Sequence, residues 1–285
     1  MKKLIQRLLV FIIGLPSAIF IVAGLPQKHH LTANIIVIVL SSLGAGEFAG
    51  MLRKEGYRIS PGESVILGCL APLGATLTVS FGVGGDLFFA AVPVLGIFWV
   101  LIRRAFAGEK TLMENSKYLT AGLSVLLYPG LLLSWLVMMG LLPGADRIMA
   151  VFLLMVIVND SAAWAAGMLF GKGNRGIIPA SPNKSAAGFI GGFAASVLVG
   201  AGAVIYFSPV FNSPALPSPW AGLILGFFTA TAASLGDLAE SAMKRGAGIK
   251  DSGSSIPGRG GVLDSIDSIA LAAPVYYFCY RLLFM

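Results

Sequence analysis

The chain has 285 residues, of which 56% are hydrophobic and only 12% are charged, and its formal net charge is +7. A soluble domain carries roughly 25% charged residues, so this composition excludes an ordinary soluble protein and predicts an integral membrane protein. The basic excess requires no nucleic acid partner, because lysine and arginine gathered on one side of a membrane account for it.

Nine apolar stretches approach the roughly 20 residues that a transmembrane helix needs. They predict an all-α, polytopic membrane protein with about nine transmembrane helices and a single membrane domain over 1–285. Its N-terminal helices lie at about 1–142 and its catalytic helices at about 147–285. In chain order the stretches cover 4–25, 31–52, 64–82, 86–102, 118–142, 147–170, 186–209, 217–236 and 264–283.

The basic residues predict the orientation of these helices. If the N-terminus is cytoplasmic, all but three of the 20 lysines and arginines fall on the cytoplasmic side, the exceptions being Lys28, Arg147 and Arg281. Such a bias is the usual signature of cytoplasmic loops. We therefore expect a multi-pass protein of the inner or plasma membrane, with its active site facing the cytoplasm.

Charge is concentrated between the last two stretches, at 234–268. Asp237, Glu240, Ser241 and Lys244 are spaced by three, four and seven residues, which places them on one face of a helix. A solvated amphipathic helix end gives the same pattern. A dense cluster of both signs beside a bilayer is nevertheless expensive, and it indicates a functional site.

A glycine- and serine-rich loop follows at 252–261 and leads into the last apolar stretch. Glycines let backbone N–H groups approach phosphate oxygens, and the helix N-terminus that follows also favours an anion. A purely structural turn is the alternative interpretation. The charges on both sides of the loop favour a phosphate-binding role.

Asp264 and Asp267 open the last stretch, one helical turn apart. Together with Asp237 they suit Mg²⁺, which takes few protein carboxylates and completes its shell with water and phosphate oxygens. The set leaves room for a second cation. An acid in the first turn of a helix is also favoured by the helix dipole, which is the alternative explanation for Asp264.

A second candidate site lies around the sixth stretch. Asp160 interrupts an apolar helix, so we expect it to face a polar cavity. The segment 171–176 matches G-x-G-x-x-G, but no strand precedes it, and we discard a dinucleotide site. Lys184 follows in a basic loop that could meet a phosphate. Glu47, inside the second stretch, either lines the same cavity or pairs with a lysine.

The C-terminal segment resembles the signature of the phosphatidate cytidylyltransferases, also called CDP-diacylglycerol synthases. Asp160 and the loop at 181–188 are similar to that family as well, and nine spans fit its architecture. The positions that match in the C-terminal signature are Ser241, Lys244, Arg245, Lys250, Asp251, Pro257, Gly258, Gly260, Gly261, Asp264 and Asp267.

The resemblance implies that the protein catalyses the reaction of CTP with phosphatidic acid, which gives CDP-diacylglycerol and pyrophosphate in phospholipid biosynthesis. It implies Mg²⁺ on Asp237, Asp264 and Asp267. The other catalytic residues implied are Lys244, Arg245, Lys250 and Asp251. The substrate-binding residues implied are Asp160, Lys184, Ser241, Gly258, Arg259, Gly260 and Gly261.

Three positions depart from the family pattern. Arg259 stands in place of a histidine, Ser265 in place of an arginine, and Ala187 in place of an acid. One hypothesis is compensation, in which the positive charge absent at 265 is supplied at 259. The other is altered or lost activity.

Three alternatives stay open at this point. The first is a CTP-dependent transferase that acts on another lipid or on a polyprenyl phosphate. The second is an inactive homologue. The third, of a different class, is a membrane transporter, for which Asp160 and Glu47 would line the path, although the charges gather on one side of the membrane. A further hypothesis is that the protein forms a homodimer.

Overall fold

The computed structural model describes residues 2–214, 216–256, 258 and 260–285, with side chains from Ile13 onward except at Lys110. Within them it forms helices and no β-strand, which confirms the all-α prediction. The helices are α1 (Lys2–Gly24), α2 (Gln27–Lys54), α3 (Pro61–Phe81), α4 (Leu87–Ile102), α5 (Glu109–Met113), α6 (Asn115–Val125), α7 (Leu132–Met138), α8 (Ala145–Phe170), α9 (Ala186–Tyr206), α10 (Ser218–Gly246) and α11 (Leu263–Phe284).

Each of the nine predicted stretches coincides with a helix or a helical run. Within the part of the chain whose side chains are described, six segments are long and apolar enough to cross a membrane, and Ile13–Gly24 of α1 and Leu87–Ile102 are shorter apolar helices. The count of nine spans is therefore not confirmed. The six segments are Gln27–Lys54, Pro61–Phe81, Asn115–Leu141, Ala145–Phe170, Ala186–Tyr206 and Ser218–Gly246.

The fifth predicted stretch is a helical run rather than one regular helix. Between α6 and α7 the chain makes a π-helical turn over Leu126–Leu131 that contains Pro129. Proline has no N–H to donate and interrupts the regular hydrogen-bond ladder, which accounts for the irregular turn. The buried Ser41 hydroxyl on α2 lies 2.6 Å from the Pro129 carbonyl and 2.7 Å from the Gly68 carbonyl on α3. Backbone polar groups are thus satisfied where the helix is broken, as a membrane interior requires.

The described chain divides into two compact units. The first comprises 1–25, 141–242 and 267–285, and the second comprises 26–140 and 243–266. In the first unit α8 packs along α9, where the Ser196 hydroxyl donates to the Met155 carbonyl at 2.9 Å. Tyr276 on α11 also donates to the Ile148 carbonyl of α8 at 3.0 Å. In the second unit α3 packs between α2 and α4.

The helix α10 extends about ten residues beyond the predicted apolar stretch, to Gly246. This extension carries the charged face predicted from the spacing of Asp237, Glu240 and Lys244. Lys244 and Arg245 stand in its last turn, where a positive charge is favoured by the helix dipole.

Candidate active site

Four carboxylates of the first unit lie close enough to interact. Asp267 on α11 is 5% exposed, and it lies within electrostatic range of Asp237 and Glu240 on α10 and of Asp160 on α8. Glu240 is fully buried. Grouping buried acids costs free energy unless protons, cations or hydrogen-bond donors compensate the charge. The group is therefore a place where a cation is favoured.

Close packing of two helix backbones brings these acids together. A Cβ atom at Gly236 would lie 2.5 Å from the backbone oxygen of Asp267 and 3.1 Å from the Cα of Ser268. Only a residue without a side chain lets α10 approach α11 here. The glycine that precedes Asp237 in the sequence thus determines how near Asp237 and Asp267 stand.

Lys184 contributes a cation to the same group. Its Nζ lies 2.6 Å from Asp237 Oδ2, and the Ser241 hydroxyl donates to Asp237 Oδ1 at 3.4 Å. The loop before α9 holds the lysine in place: Ser185 caps the helix by accepting from the Gly188 N–H at 3.1 Å. Asp160, Lys184, Asp237, Ser241 and Asp267, all predicted site residues, are thus brought to one region of the first unit.

A second group of polar residues forms in the second unit around Glu47 of α2. Its Oε1 accepts from the Ser255 hydroxyl at 2.9 Å and from the Val262 N–H at 3.0 Å. The Leu263 N–H donates to Oε2 at 2.9 Å, and the Ser252 hydroxyl lies 3.0 Å from that oxygen. One carboxylate therefore holds both ends of the glycine loop and caps the N-terminus of α11.

Asp264 completes this second group. Its Oδ1 pairs with Lys244 Nζ at 2.5 Å, and both side chains are nearly buried, at 7% and 13% exposed. Its Oδ2 accepts from the backbone N–H groups of Ser252, at 2.9 Å, and Gly261, at 2.7 Å. The acceptor sites of Asp264 are thus largely used within the protein, and Lys244 joins the end of α10 to the start of α11.

Packing against Glu47 and Ser252 explains why the loop has glycines, and the sequence did not suggest this reason. A Cβ atom at Gly261 would collide with the Ser252 hydroxyl and the Glu47 carboxylate, and one at Gly253 would lie 2.5 Å from Glu47 Oε1. The Gly260 N–H donates to the Ile256 carbonyl at 3.0 Å. Several of the N–H groups that were expected to cradle phosphate oxygens therefore serve the loop itself.

The remaining predicted residues are distributed around the loop. Arg245, Lys250 and Asp251 are exposed at the end of α10 and after it. Gly258 and Gly260 adopt positive φ values of 79° and 120°, which favour glycine. The residues predicted at 257 and 259, Pro257 and Arg259, lie outside the described residues.

Two of the positions that depart from the family pattern are described. The Ser265 hydroxyl donates to the Gly261 carbonyl at 3.4 Å, so this side chain supports the backbone of the loop. Ala187 stands in the first turn of α9, next to the capped N-terminus.

The acids match the donor chemistry of Mg²⁺ but do not converge into a formed metal site. Among the described residues, no three side chains of His, Cys, Asp or Glu are arranged so as to hold a metal ion. The carboxylates of the first unit supply the hard oxygen donors that Mg²⁺ prefers. Asp264 fits less well, because Lys244 and the loop already occupy its oxygens.

Glu47 is the residue whose role sequence reasoning missed. Its hydrogen bonds join positions more than 200 residues apart in the sequence, and no local sequence pattern can predict contacts of that kind. The available signal was an acid inside an apolar helix, which indicates a required partner.

The long apolar helices define a polytopic membrane protein. Near the ends of these helices, acids are grouped with lysines, and such a group can bind phosphate together with a cation. The model of the cytidylyltransferase family matches residues 5–283, and the chain belongs to this family.

Individual relatives agree with this assignment. A phosphatidate cytidylyltransferase of Synechocystis sp. is 31% identical over 98% of this chain and 97% of its own length. The protein of the same name from Mycobacterium bovis is 29% identical over 95% of this chain and 87% of its own. That of Haemophilus influenzae is 43% identical over 48% of this chain and 46% of its own.

Proposed function

We propose that this chain is a phosphatidate cytidylyltransferase, which transfers the cytidylyl group of CTP to phosphatidic acid and releases pyrophosphate. The observation that carries the proposal is the likeness to the Synechocystis phosphatidate cytidylyltransferase over nearly the whole of both chains. The grouping of acids and lysines supports it, because phosphate chemistry needs both charge neutralisation and hard oxygen ligands.

The reaction asks little covalent chemistry of the protein. An oxygen of the phosphatidic acid phosphate forms a bond to the α-phosphorus of CTP. The bond from that phosphorus to the bridging oxygen breaks, and pyrophosphate leaves with the electron pair. The attacking phosphate is already largely ionised near neutral pH, so no general base is needed. Catalysis therefore rests on positioning and on neutralising charge.

In the first unit we assign Lys184 to a substrate phosphate, since its side chain is 24% exposed and its ammonium lies beside Asp237. Asp237 and Asp267 are the proposed ligands of Mg²⁺, with Asp160 and Glu240 completing the acidic surroundings. A bound Mg²⁺ supplies positive charge to the nucleotide phosphates. Ser241 orients Asp237 through the hydrogen bond between them.

In the second unit the loop 252–261 and its supports have a positioning role. Glu47, Asp264 and Lys244 fix the loop and the start of α11 through the contacts described above. The exposed cations Arg245 and Lys250 are proposed to meet phosphates of CTP or lipid. Arg259 is assigned the same role on the resemblance alone, as is the backbone of Gly258 beside the triphosphate, whereas the Gly260 N–H already donates to the Ile256 carbonyl.

We also propose that the protein lies in the inner or plasma membrane with these residues facing the cytoplasm. The distribution of lysine and arginine supports this orientation. Labelling of single cysteines introduced near Lys250 and near Arg147 in intact cells would test it. The homodimer stays a hypothesis, which light scattering of the purified protein would test.

The test of the reaction is CTP-dependent formation of CDP-diacylglycerol from phosphatidic acid by the purified chain, with and without Mg²⁺. Asp267→Asn should lower kcat by at least about a hundredfold, a typical loss when one charge-stabilising group is removed. Asp146→Asn is the matched control, because Asp146 lies in the first turn of α8 at 40% exposure and should leave kcat unchanged.

The outcomes separate the alternatives. Turnover of CTP with a polyprenyl phosphate but not with phosphatidic acid would identify a different lipid substrate. Absence of any metal-dependent CTP turnover in a folded protein would refute the enzyme proposal and favour the inactive homologue or the transporter.

A further inference from the structure

A cavity lined by arginines lies in the second unit, at the ends of α2 and α4 and the start of α3. Its volume is about 460 Å³, and its walls include Arg53, Arg58, Arg103 and Arg104. The acid among its lining residues is Glu63. Four guanidinium groups around one space create a strongly positive local potential.

Two of these arginines are held in place by buried partners. Glu63, which is nearly buried, pairs with Arg103 Nη1 at 2.5 Å and accepts from the Tyr118 hydroxyl at 2.6 Å and the Trp99 indole at 3.0 Å. Arg104 lies over the Tyr118 ring, 4.2 Å from its centroid. The cavity wall is therefore organised before any ligand arrives, which lowers the cost of binding.

The positive charge of the cavity is only partly compensated. Arg103 pairs with Glu63, and Arg58 pairs with Glu114 at 3.0 Å on the exposed surface. In the part of the chain that the structure describes, Arg53 and Arg104 have no carboxylate partner. The excess positive charge favours an anionic phosphate group, which arginine recognises through paired hydrogen bonds.

The surface beside the cavity indicates which kind of phosphate it takes. The last turns of α4 expose Phe98, Trp99 and Ile102, directly before Arg103. An exposed apolar helix face on a membrane protein contacts acyl chains, and tryptophan and arginine at its end are typical of the headgroup layer. A ligand with an anionic head and apolar tails would contact both surfaces.

We propose that this cavity binds the phosphate headgroup of an anionic phospholipid whose acyl chains lie along α4. The proposal goes beyond the nucleotidyl transfer proposed above, because none of the residues assigned to that reaction lines the cavity. Its consequence is a lipid held at the protein surface independently of the substrate.

Binding of short-chain phosphatidylglycerol to the purified full chain in detergent, measured by calorimetry, tests the proposal. Phosphatidylcholine of the same chain length is the zwitterionic control, and glycerol 3-phosphate and inorganic phosphate are the water-soluble phosphates. The double variant Arg53→Gln, Arg104→Gln should weaken phosphatidylglycerol binding about 25-fold, about fivefold for each arginine. Arg147→Gln with Arg281→Gln is the matched control, since these arginines belong to the other unit.

The expected result is loss of phosphatidylglycerol binding in the cavity variant alone, with phosphatidylcholine weak throughout. Equal loss in the control double variant, or equal binding of both lipids, would overturn the proposal. Competition by glycerol 3-phosphate at lipid-like concentrations would show that the cavity takes a soluble anion instead. If the double variant does not fold, Arg53→Gln alone carries the test, with an expected loss of about fivefold. Because phosphatidylglycerol is not the proposed substrate, this result is independent of the nucleotidyl transfer assay.

Discussion

Removing the Glu47 carboxylate should loosen the loop at 252–263 far more than it weakens the rest of the protein. In Glu47→Ala the N–H groups of Val262 and Leu263 lose their acceptor, and so does the Ser255 hydroxyl. The Ser252 hydroxyl keeps Asp264 Oδ2 as an acceptor at 2.8 Å. The loop and the first turn of α11 would then be held mainly by Asp264.

The size of the effect follows from the contacts that are lost. Leaving a buried donor unpaired costs about 1–3 kcal/mol, so two N–H groups give up to about 6 kcal/mol. Glu47 is only half-buried, so water satisfies part of this loss, and we expect about 2 kcal/mol. That value corresponds to about thirtyfold more frequent opening of the loop.

Hydrogen exchange of the purified protein measures this opening directly. The amides of 262 and 263 should exchange about thirtyfold faster in Glu47→Ala, while the buried amides of α8 keep their protection. Because the loop carries residues of the proposed reaction, kcat should fall as well. Glu47→Gln keeps one acceptor oxygen, so its exchange rates and its kcat should lie between those of the wild type and of Glu47→Ala.

The matched control is Glu109→Ala, which removes an exposed glutamate of the same unit. Unchanged exchange and unchanged kcat in Glu47→Ala would refute the positioning role. A loss of protection spread over all helices would show that Glu47 supports the fold as a whole.

Two further predictions concern the same groups of residues. Gly261→Ala places a methyl group against Ser252 and Glu47, so it should lower kcat by at least about tenfold through loop displacement, whereas Gly62→Ala, with open space around it, should not change kcat in the same assay. Lys184→Met removes the partner of Asp237 and should lower turnover, while Lys184→Arg keeps the charge and should restore part of it; equal activity of the two variants would contradict the proposed contact with a phosphate.

Much of the fold was predictable because its signal is local. Apolar length alone places each predicted stretch on a helix, and the spacing of Asp237, Glu240 and Lys244 predicts the charged face that α10 carries past its apolar part. The number of spans could not be predicted from apolar length alone, since α11 begins with two aspartates and α4 has only 16 residues. Whether such a borderline helix spans the membrane depends on its length and polarity and also on the thickness of the bilayer.

The candidate site divides in the same way. The acids and lysines could be predicted by residue type and spacing, and the structure groups Asp160, Asp237 and Asp267. Which carboxylate would hold the loop could not be predicted, because the choice between Glu47 and Asp264 depends on tertiary packing. The loop glycines were predicted to let substrate phosphates approach the backbone, whereas at Gly261 the group in close contact is the Glu47 carboxylate of the protein.

The length of α10 has a consequence for where the chemistry takes place. A helix of 29 residues is about 44 Å long, whereas the hydrocarbon core of a bilayer is about 30 Å thick. If α10 crosses along the membrane normal from Ser218, about 20 residues fill the core, and Asp237 emerges at the depth of the lipid phosphates. A lipid substrate then presents its phosphate to the acids without leaving its leaflet, and only the nucleotide has to travel to the membrane.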